Sequence, residues 1–248
     1  MFKYFFTSFV LVFLGIGNIG LAQDKADFSA GMAFINSASA YKGVGSTSRV
    51  MPSISYENGR LKLGVQDGIS YRVSASDTNE FRVSLAPNFQ PYKSSDSASL
   101  AGMDRDMGLD GSMSGTFEIV RGSTLKLKAA TDLRDSSNGH LVDLSFRQFI
   151  PLGSIPAIFS LGGKWYDSKR AQHDFGVYAS EDISGRAEYA PGAVAVTYIS
   201  LNAFMNVTEN TSAFVNISAN FLPNKVVNSP IVEKDSTLST IIGVSYSF

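Results

Sequence analysis

The chain contains two histidines, the residue type most often used for acid–base catalysis when it lies beside a serine or a carboxylate. They are His140 and His173 of the 248-residue sequence. His173 precedes Asp174, but we find no second acidic pair that would complete a hydrolytic site. Two distant histidines are also a poor metal-ligand set, and the sequence has no cysteine. We therefore expect no enzymatic activity, no metal site and no cofactor.

A second group with chemical potential is the segment Gly102–Asp106, in which two carboxylates flank an arginine. Such a group can bind a cation or dock a basic surface of a partner protein. It can equally form an Asx-type turn with a local salt bridge. We keep the turn as one interpretation and take Asp104, Arg105 and Asp106 as the candidate partner-binding residues. The polar segment around Asp132, Asp135 and Asn138 predicts turn chemistry first and binding second.

The overall charge and the N-terminus restrict the class of protein. A formal net charge of -1 provides no basic field for nucleic acid. Lys3 is followed by the apolar run 4–17 and by small residues at a cleavage position, which predicts a secretory signal peptide, 1–22, and one domain, 23–248. The alternative is an uncleaved anchor, but the apolar run is shorter than the ~20 residues of a spanning helix.

The elements that position these residues show alternation with a period of two, as in Phe81, Val83 and Leu85. The alternating runs are ~9–15 residues long, whereas strands of soluble proteins have ~5–6 and transmembrane strands ~9–11. In lipid only a closed barrel satisfies every backbone group of such strands. We predict an all-β fold: a closed antiparallel transmembrane barrel of about 12 strands, monomeric and in contact with outer-membrane lipid.

Two segments leave the strand count open. The run 60–74 is predicted as one strand with a break at Gly68, because a turn at Asp67-Gly68 would leave two short pieces. The run 174–182 is predicted as a strand. If either prediction fails, ten strands is the alternative. With both termini periplasmic, as bacterial barrels have them, this count puts the following connections at the periplasmic end: 93–106, 135–139, 168–173 and 207–210.

The inward face of the predicted strands is rich in basic side chains. Acidic residues, Asp110, Glu118, Asp132 and Asp143, share that face. These groups can form a structural ion-pair network that fills the lumen, or they can line a narrow, mildly anion-preferring pore. The candidate lumen residues are Lys62, Arg72, Arg82, Lys126, Lys128, Arg147 and Lys164.

The last residues, Leu238–Phe248, alternate between apolar and small polar side chains. We predict that this closing strand pairs with the strand at about 26–35, which removes both edges of the sheet. Tyr246 and Phe248 fit a periplasmic aromatic girdle. The terminal Phe also resembles the signal by which outer-membrane barrels are recognised for assembly.

Several longer segments resemble the MipA/OmpV family of Gram-negative outer-membrane proteins. The resemblance covers essentially the whole chain after the signal and is carried by 41–63, 99–113, 131–144, 164–182 and 228–248. It implies a scaffold at the cell outer membrane that links a peptidoglycan lytic transglycosylase and a bifunctional penicillin-binding protein. Other members are porin-like or adhesins, so a small-solute channel is the alternative function.

Overall fold

A computed structural model describes residues 27–65 and 68–248. The predicted signal peptide lies outside the described residues. Twelve antiparallel strands form one closed barrel, which confirms the predicted fold class. The strands are β1 (Asp27–Ala38), β2 (Ser46–Asn58), β3 (Leu61–Gly64), β4 (Gly68–Ala75), β5 (Asn79–Asn88), β6 (Gly108–Val120), β7 (Ser123–Asp132), β8 (His140–Leu152), β9 (Ile155–Tyr166), β10 (Val194–Asn206), β11 (Thr211–Phe221) and β12 (Ser236–Ser247).

The barrel closes through the predicted pairing of its first and last strands. β1 and β12 are antiparallel, with Ser29 opposite Ser247 and Ser37 opposite Ser239. The backbone N–H of Phe248 donates to the carbonyl of Phe28 at 3.0 Å. Every strand of the described chain therefore has two neighbours for at least part of its length, as a sheet in lipid requires.

The alternation predicted from the sequence is seen in the exposure of the strands. On β5, Phe81, Val83 and Leu85 are 37–44% exposed on the outer wall, whereas Arg82 lies between them on the inner wall. The exposed large apolar side chains recur along the other strands in the same way. The outer wall is thus apolar and the lumen polar, which is the pattern of a transmembrane barrel.

The count of twelve is right although two of the predicted strands are wrong. The run 60–74 is two strands, β3 and β4, which pair with each other, with Leu63 opposite Ile69. The run 174–182 contains no strand. Its first residues end the helix α1 (Ser168–Phe175), and a 3₁₀ turn follows at Ala179–Glu181. One strand gained and one lost leave the total unchanged.

The split of 60–74 reverses the predicted end of the barrel for the connections from β4 as far as residue 173, in the β9–β10 connection. The sequence predicts that three connections lie at the same end as the termini: 93–106, 135–139 and 168–173. This prediction is wrong, because they lie at the opposite end. In the described part of the chain, the terminal end carries tight turns, such as the Asn58-Gly59 turn, where Gly59 has φ 54. We call the two ends the turn end and the loop end.

The helices within the described residues are short and belong to the loop end. Besides α1, a four-residue helix, α2 (Asn224–Val227), lies between β11 and β12. Asp167 caps α1, because its side chain accepts a hydrogen bond from the Arg170 backbone N–H at 2.8 Å. Among the described residues, no helix has the length and apolar character needed to cross a membrane.

Candidate functional site

The loop end of the barrel is covered by a folded cap, which we define as residues 39–45, 89–107, 167–193 and 222–235. Apolar side chains from all four segments form one buried core beneath the surface of the cap. Its fully buried members include Tyr92, Leu100, Met103, Ala171, Val177, Val226 and Ile231. The connections therefore pack on one another across the mouth instead of extending separately into solvent.

Backbone hydrogen bonds tie the segments of the cap together. The N–H of Lys42 donates to the carbonyl of Ile231 at 2.8 Å, and the N–H of Glu233 donates to the carbonyl of Ala40 at 2.9 Å. The Ser97 hydroxyl donates to the carbonyl of Lys42 at 2.8 Å. These bonds join the β1–β2 connection to the β5–β6 and β11–β12 connections, so the cap is a single packed unit.

A buried arginine lies at the centre of the cap. The Arg105 side chain is 3% exposed and forms a two-point ion pair with Glu181, with a 2.9 Å contact from one guanidinium nitrogen to Oε2. Its Nε also donates to the carbonyl of His173 at 2.8 Å. Burial acts to raise the pKa of Glu181, but hydrogen bonds from Arg105 and the Tyr178 N–H outweigh it and hold this pKa below its usual value.

A second ion pair joins the cap to the barrel wall. Arg170 of α1 donates to both oxygens of Asp110 on β6, each at 3.0 Å. The Arg170 side chain is 5% exposed, so the pair is screened from solvent. Because the guanidinium fork matches the carboxylate geometrically, it sets the position of α1 over the lumen.

Beneath the cap is a cavity of ≈ 180 Å³. Three adjacent strands contribute a row of charged residues to its lining: Lys128 on β7 is opposite Asp143 on β8, which is opposite Lys164 on β9. The Tyr198 hydroxyl donates to Asp143 at 2.9 Å, and the Lys164 ammonium lies 5.2 Å from the centre of the Tyr198 ring. We call Lys128, Asp143 and Lys164 the charged row.

Nearer the turn end, the lumen contains a separate ion cluster. Arg82 donates to Glu80 through Nε at 2.6 Å and lies 3.7 Å from Glu57. Arg72 lies 3.9 Å from Glu80 and also donates to the carbonyl of Gly59. The two arginines are directly opposite on β4 and β5, so Glu80 offsets the repulsion between them.

The structure places the seven predicted lumen residues on the inner wall, but it does not bring them into one site. Arg72 and Arg82 belong to the ion cluster, whereas Lys128 and Lys164 belong to the charged row. The others lie on β3, β7 and β8: Lys62, which is opposite Glu57, Lys126 and Arg147.

The three candidate partner-binding residues have different environments. Asp104 and Asp106 are exposed, and Asp104 accepts hydrogen bonds from the backbone and hydroxyl of Ser94 at 3.0 and 3.3 Å. Arg105 is in the core of the cap. The assembly-signal residues Tyr246 and Phe248 are at the turn end, with ring centres 4.9 Å apart.

The histidines lie apart. His140 begins β8 and is exposed, whereas His173 is buried in α1 with Nδ1 2.8 Å from Asp174. Within 27–65 and 68–248, no group of three acidic or histidine residues has the arrangement of a metal site. As the sequence indicated, Asp132 serves a turn, accepting hydrogen bonds from Arg134, Ser137 and Asn138 backbone N–H groups at 2.6–3.2 Å.

Sequence reasoning missed Glu57, Glu80, Arg170 and Glu181, which hold the basic groups in place. Glu80 had a signal, because it shares the parity of Arg82 on one strand. Glu181 had none, because its partner Arg105 is 76 residues away in an irregular connection.

A closed barrel with an apolar outer wall, a charged lumen and long connections at one end is an outer-membrane β-barrel. The family model described as MltA-interacting protein MipA matches residues 30–248, and the chain belongs to this family. YiaT of Escherichia coli strain K12, whose name assigns it to the outer membrane, is 27% identical over 228 residues, covering 90% of this chain and 92% of YiaT.

Two further proteins are similar over their whole length. The MltA-interacting protein of E. coli strain K12 is 24% identical over 249 residues, covering 98% of this chain and 100% of that protein. The solved structure of an outer membrane channel from Pseudomonas putida F1 is 10% identical with a TM-score of 0.46, covering 94% of this chain and 98% of the channel.

Proposed function

We propose that the protein is a non-enzymatic outer-membrane scaffold that binds a peptidoglycan lytic transglycosylase. The observation that carries this proposal is the family match, because the family is described by its interaction with MltA and the match covers 30–248. A relative that carries the same description aligns over 98% of the chain. The second enzyme implied by the resemblance, a bifunctional penicillin-binding protein, is the other expected partner.

The presence of the cap favours a scaffold function over the function of an open porin. Four connections pack into one core across the mouth, and two buried ion pairs hold them. A porin needs a continuous aqueous path, whereas an anchor needs only a stable barrel with an accessible surface. The described barrel is closed and has exposed turns, as a scaffold anchored in the membrane requires.

The turn end is the surface we propose for the enzymes. Barrels of this class have both termini in the periplasm, and β1 begins and β12 ends at the turn end. Its tight turns carry exposed charged residues that can contact a periplasmic protein: Arg60, Asp77, Arg121 and Glu209. The docking role of Asp104, Arg105 and Asp106 at the loop end stays a prediction.

One binding experiment tests both surfaces. The refolded protein is immobilised in lipid nanodiscs, and purified lytic transglycosylase and penicillin-binding protein are passed over it. We expect R60E/R121E at the turn end to weaken binding roughly tenfold, which corresponds to about 1.4 kcal/mol. The matched variant D104K/D106K at the loop end is expected to bind normally. A loss confined to D104K/D106K would move the docking surface to the cap, and no binding by either enzyme would refute the scaffold.

A second candidate function is a small-solute, mildly anion-preferring channel. The observation that favours it is the charged row together with the other basic residues of the inner wall. Planar-bilayer recordings of the refolded protein test it. Stable current steps whose selectivity changes in K126E and K128E would support a channel, because reversing lumen charge changes ion selectivity. The absence of steps would exclude it.

A further inference from the structure

The barrel wall has a gap on one side, between the upper parts of β2 and β5. β3 is four residues long and pairs with β2 only from Ser55 to Asn58. The bond from the Val65 N–H to the Ile54 carbonyl, 3.2 Å, is the last on this side among residues 27–65 and 68–248. Above it, none of the described strands pairs with the edge of β2 formed by 46–53.

The gap lies at the depth of the apolar outer wall. Val50 is 58% exposed beside the gap and is opposite Phe34 on β1, which is also on the outer wall. On the other side, Ile69 begins the shorter wall formed by β4 and is 52% exposed. The edge of β2 that pairs with no described strand therefore faces the region that lipid chains occupy around a barrel.

An unpaired strand edge is costly in lipid unless it borders a cavity, because nothing in hydrocarbon replaces the missing hydrogen bonds. Pro52 reduces that cost. Since Ile54 directs its carbonyl to β3 and residues two apart point to the same side, the ring nitrogen of Pro52 faces the gap. It has no N–H to leave unsatisfied there.

The gap leads to the cavity beneath the cap. The cavity lining includes Thr47 of β2 and Asn88 of β5, which flank the gap. Near these residues the lining consists of small side chains without charge, both polar (Ser37) and apolar (Ala38, Ala86 and Pro87). Across the lumen it ends at the charged row. The cavity therefore extends from the gap, which faces the membrane, to the ammonium groups of Lys128 and Lys164.

The charge of the lining selects the kind of ligand. In the charged row, two lysines share one carboxylate. The whole lining has three basic and three acidic residues, but the charges are unevenly placed: Arg170 forms an ion pair with Asp110, and Asp174 lies in α1 with a hydrogen bond to His173, so the excess of positive charge is local to the charged row. A cavity of ≈ 180 Å³ is of the order of the ~150 Å³ engineered cavity that holds benzene. It admits a head group and a short length of chain, but not a whole lipid.

We propose that the cavity binds the carboxylate end of a single-chain amphiphile, a fatty acid, which enters sideways from the membrane through the gap between β2 and β5. The carboxylate lies at Lys128 and Lys164, and the chain runs past Ala86 and out through the gap. This site is independent of the scaffold proposal, because it does not involve the turn end.

Photo-crosslinking tests the proposal. The protein is placed in phosphatidylcholine nanodiscs with a fatty acid that carries a diazirine a few carbons from its carboxylate, and labelled peptides are identified by mass spectrometry. We expect label within 37–41 and 86–91, removed by excess unlabelled fatty acid. The matched fatty alcohol should label these segments roughly tenfold less, since its uncharged hydroxyl accepts weaker hydrogen bonds from the lysines than a carboxylate does.

Variants identify the groups responsible. We expect K128A/K164A to reduce cavity labelling about tenfold while labelling of the outer wall is unchanged. K126A is the matched control, because Lys126 is on the same strand and face but outside the cavity lining. If the double variant does not fold, A86F, which fills the cavity, must remove the same label. Label confined to the outer wall, or equal labelling by acid and alcohol, would overturn the proposal.

Discussion

The Arg105–Glu181 pair is the residue-scale feature on which the cap depends most directly. Arg105 joins the β5–β6 connection to Glu181 and to the end of α1 in the β9–β10 connection. It also lies 4.9 Å from the centre of the Tyr178 ring. Replacing Arg105 therefore removes hydrogen bonds from several buried groups at once.

Replacing one member of this pair should loosen the cap without opening the barrel. We expect R105M to destabilise the cap by about 3–5 kcal/mol, because it leaves the Glu181 carboxylate, which is 11% exposed, without its positively charged partner. Faster proteolysis within 89–107 and 167–193, with unchanged heat-modifiable migration of the barrel, measures this. K42M, an exposed cap residue, is the control. Equal protease resistance of R105M and the natural protein would contradict the prediction.

The same pair makes the cap sensitive to acid. The pKa of Glu181 is lower in the folded protein than its usual value, so the stability it contributes is complete above that value, ~4.3, and is lost as the pH falls through the folded pKa. We expect hydrogen exchange within 168–186 to accelerate below about pH 4 after correction for the intrinsic rate. E181Q should lack this acid transition; an identical transition in E181Q would assign it to other groups.

At the scale of elements, the seam between β1 and β12 leaves no room for a side chain at Gly31. An ideal Cβ there would lie 2.0 Å from the Val244 carbonyl oxygen and 2.7 Å from the Ser245 Cα. These are backbone atoms of the closing strand, so neither can move without displacing the strand pairing. Close approach of two strands therefore requires glycine at this position.

We expect G31A to destabilise the barrel by about 1–3 kcal/mol, the usual cost of overpacking. Urea unfolding in detergent micelles, followed by heat-modifiable migration, measures the change. G45A is the control, because an ideal Cβ at Gly45 has no heavy atom within 4 Å. Similar midpoints for the two variants would show that the seam adjusts freely.

Deletion of Phe248 tests the assembly signal at the end of β12. Its ring lies 5.3 Å from the Phe28 ring, yet Phe248 is 74% exposed, so it contributes little to packing. We expect the deletion to lower the amount of inserted protein more than the partner binding of the protein that does insert. Quantitative immunoblotting of outer-membrane fractions measures insertion. Normal levels would contradict the prediction.

The sequence was informative where lipid and lumen impose opposite demands on alternate residues. That pattern identified the outer face of β5 and the closing strand. It could not reveal the turn between β3 and β4, because Leu63 and Ile69 are opposite each other and so share a face. The alternation of apolar residues therefore continues through such a hairpin without a change that would reveal the turn. The cap also escaped prediction, since its apolar residues, such as Leu100 and Phe175, follow no period.

At the scale of the whole molecule, the lumen contains the ion cluster near the turn end and is covered by the cap at the loop end. We expect the intact protein to give no steady current in planar bilayers. Replacing 168–192 by a short Gly-Ser linker should produce current steps, because it removes Arg170, Phe175 and Glu181 from the cap.

The matched control places the same linker in the 207–210 turn at the opposite end, where no cap residue is lost. That variant should remain silent. Steady current through the intact protein would show instead that ions pass the cap, and it would favour the channel over the scaffold.

The short β3–β4 hairpin also has a consequence for the surrounding bilayer. Four and eight residues form this side of the wall, against the ~9–11 residues of an ordinary membrane strand. Lipid beside a short wall is compressed, at a cost that grows with each ångström of mismatch. When two copies meet through this side, the amount of compressed lipid is smaller than when the two copies stay apart. The hairpin therefore gives the barrel a preferred direction of contact within the plane of the membrane.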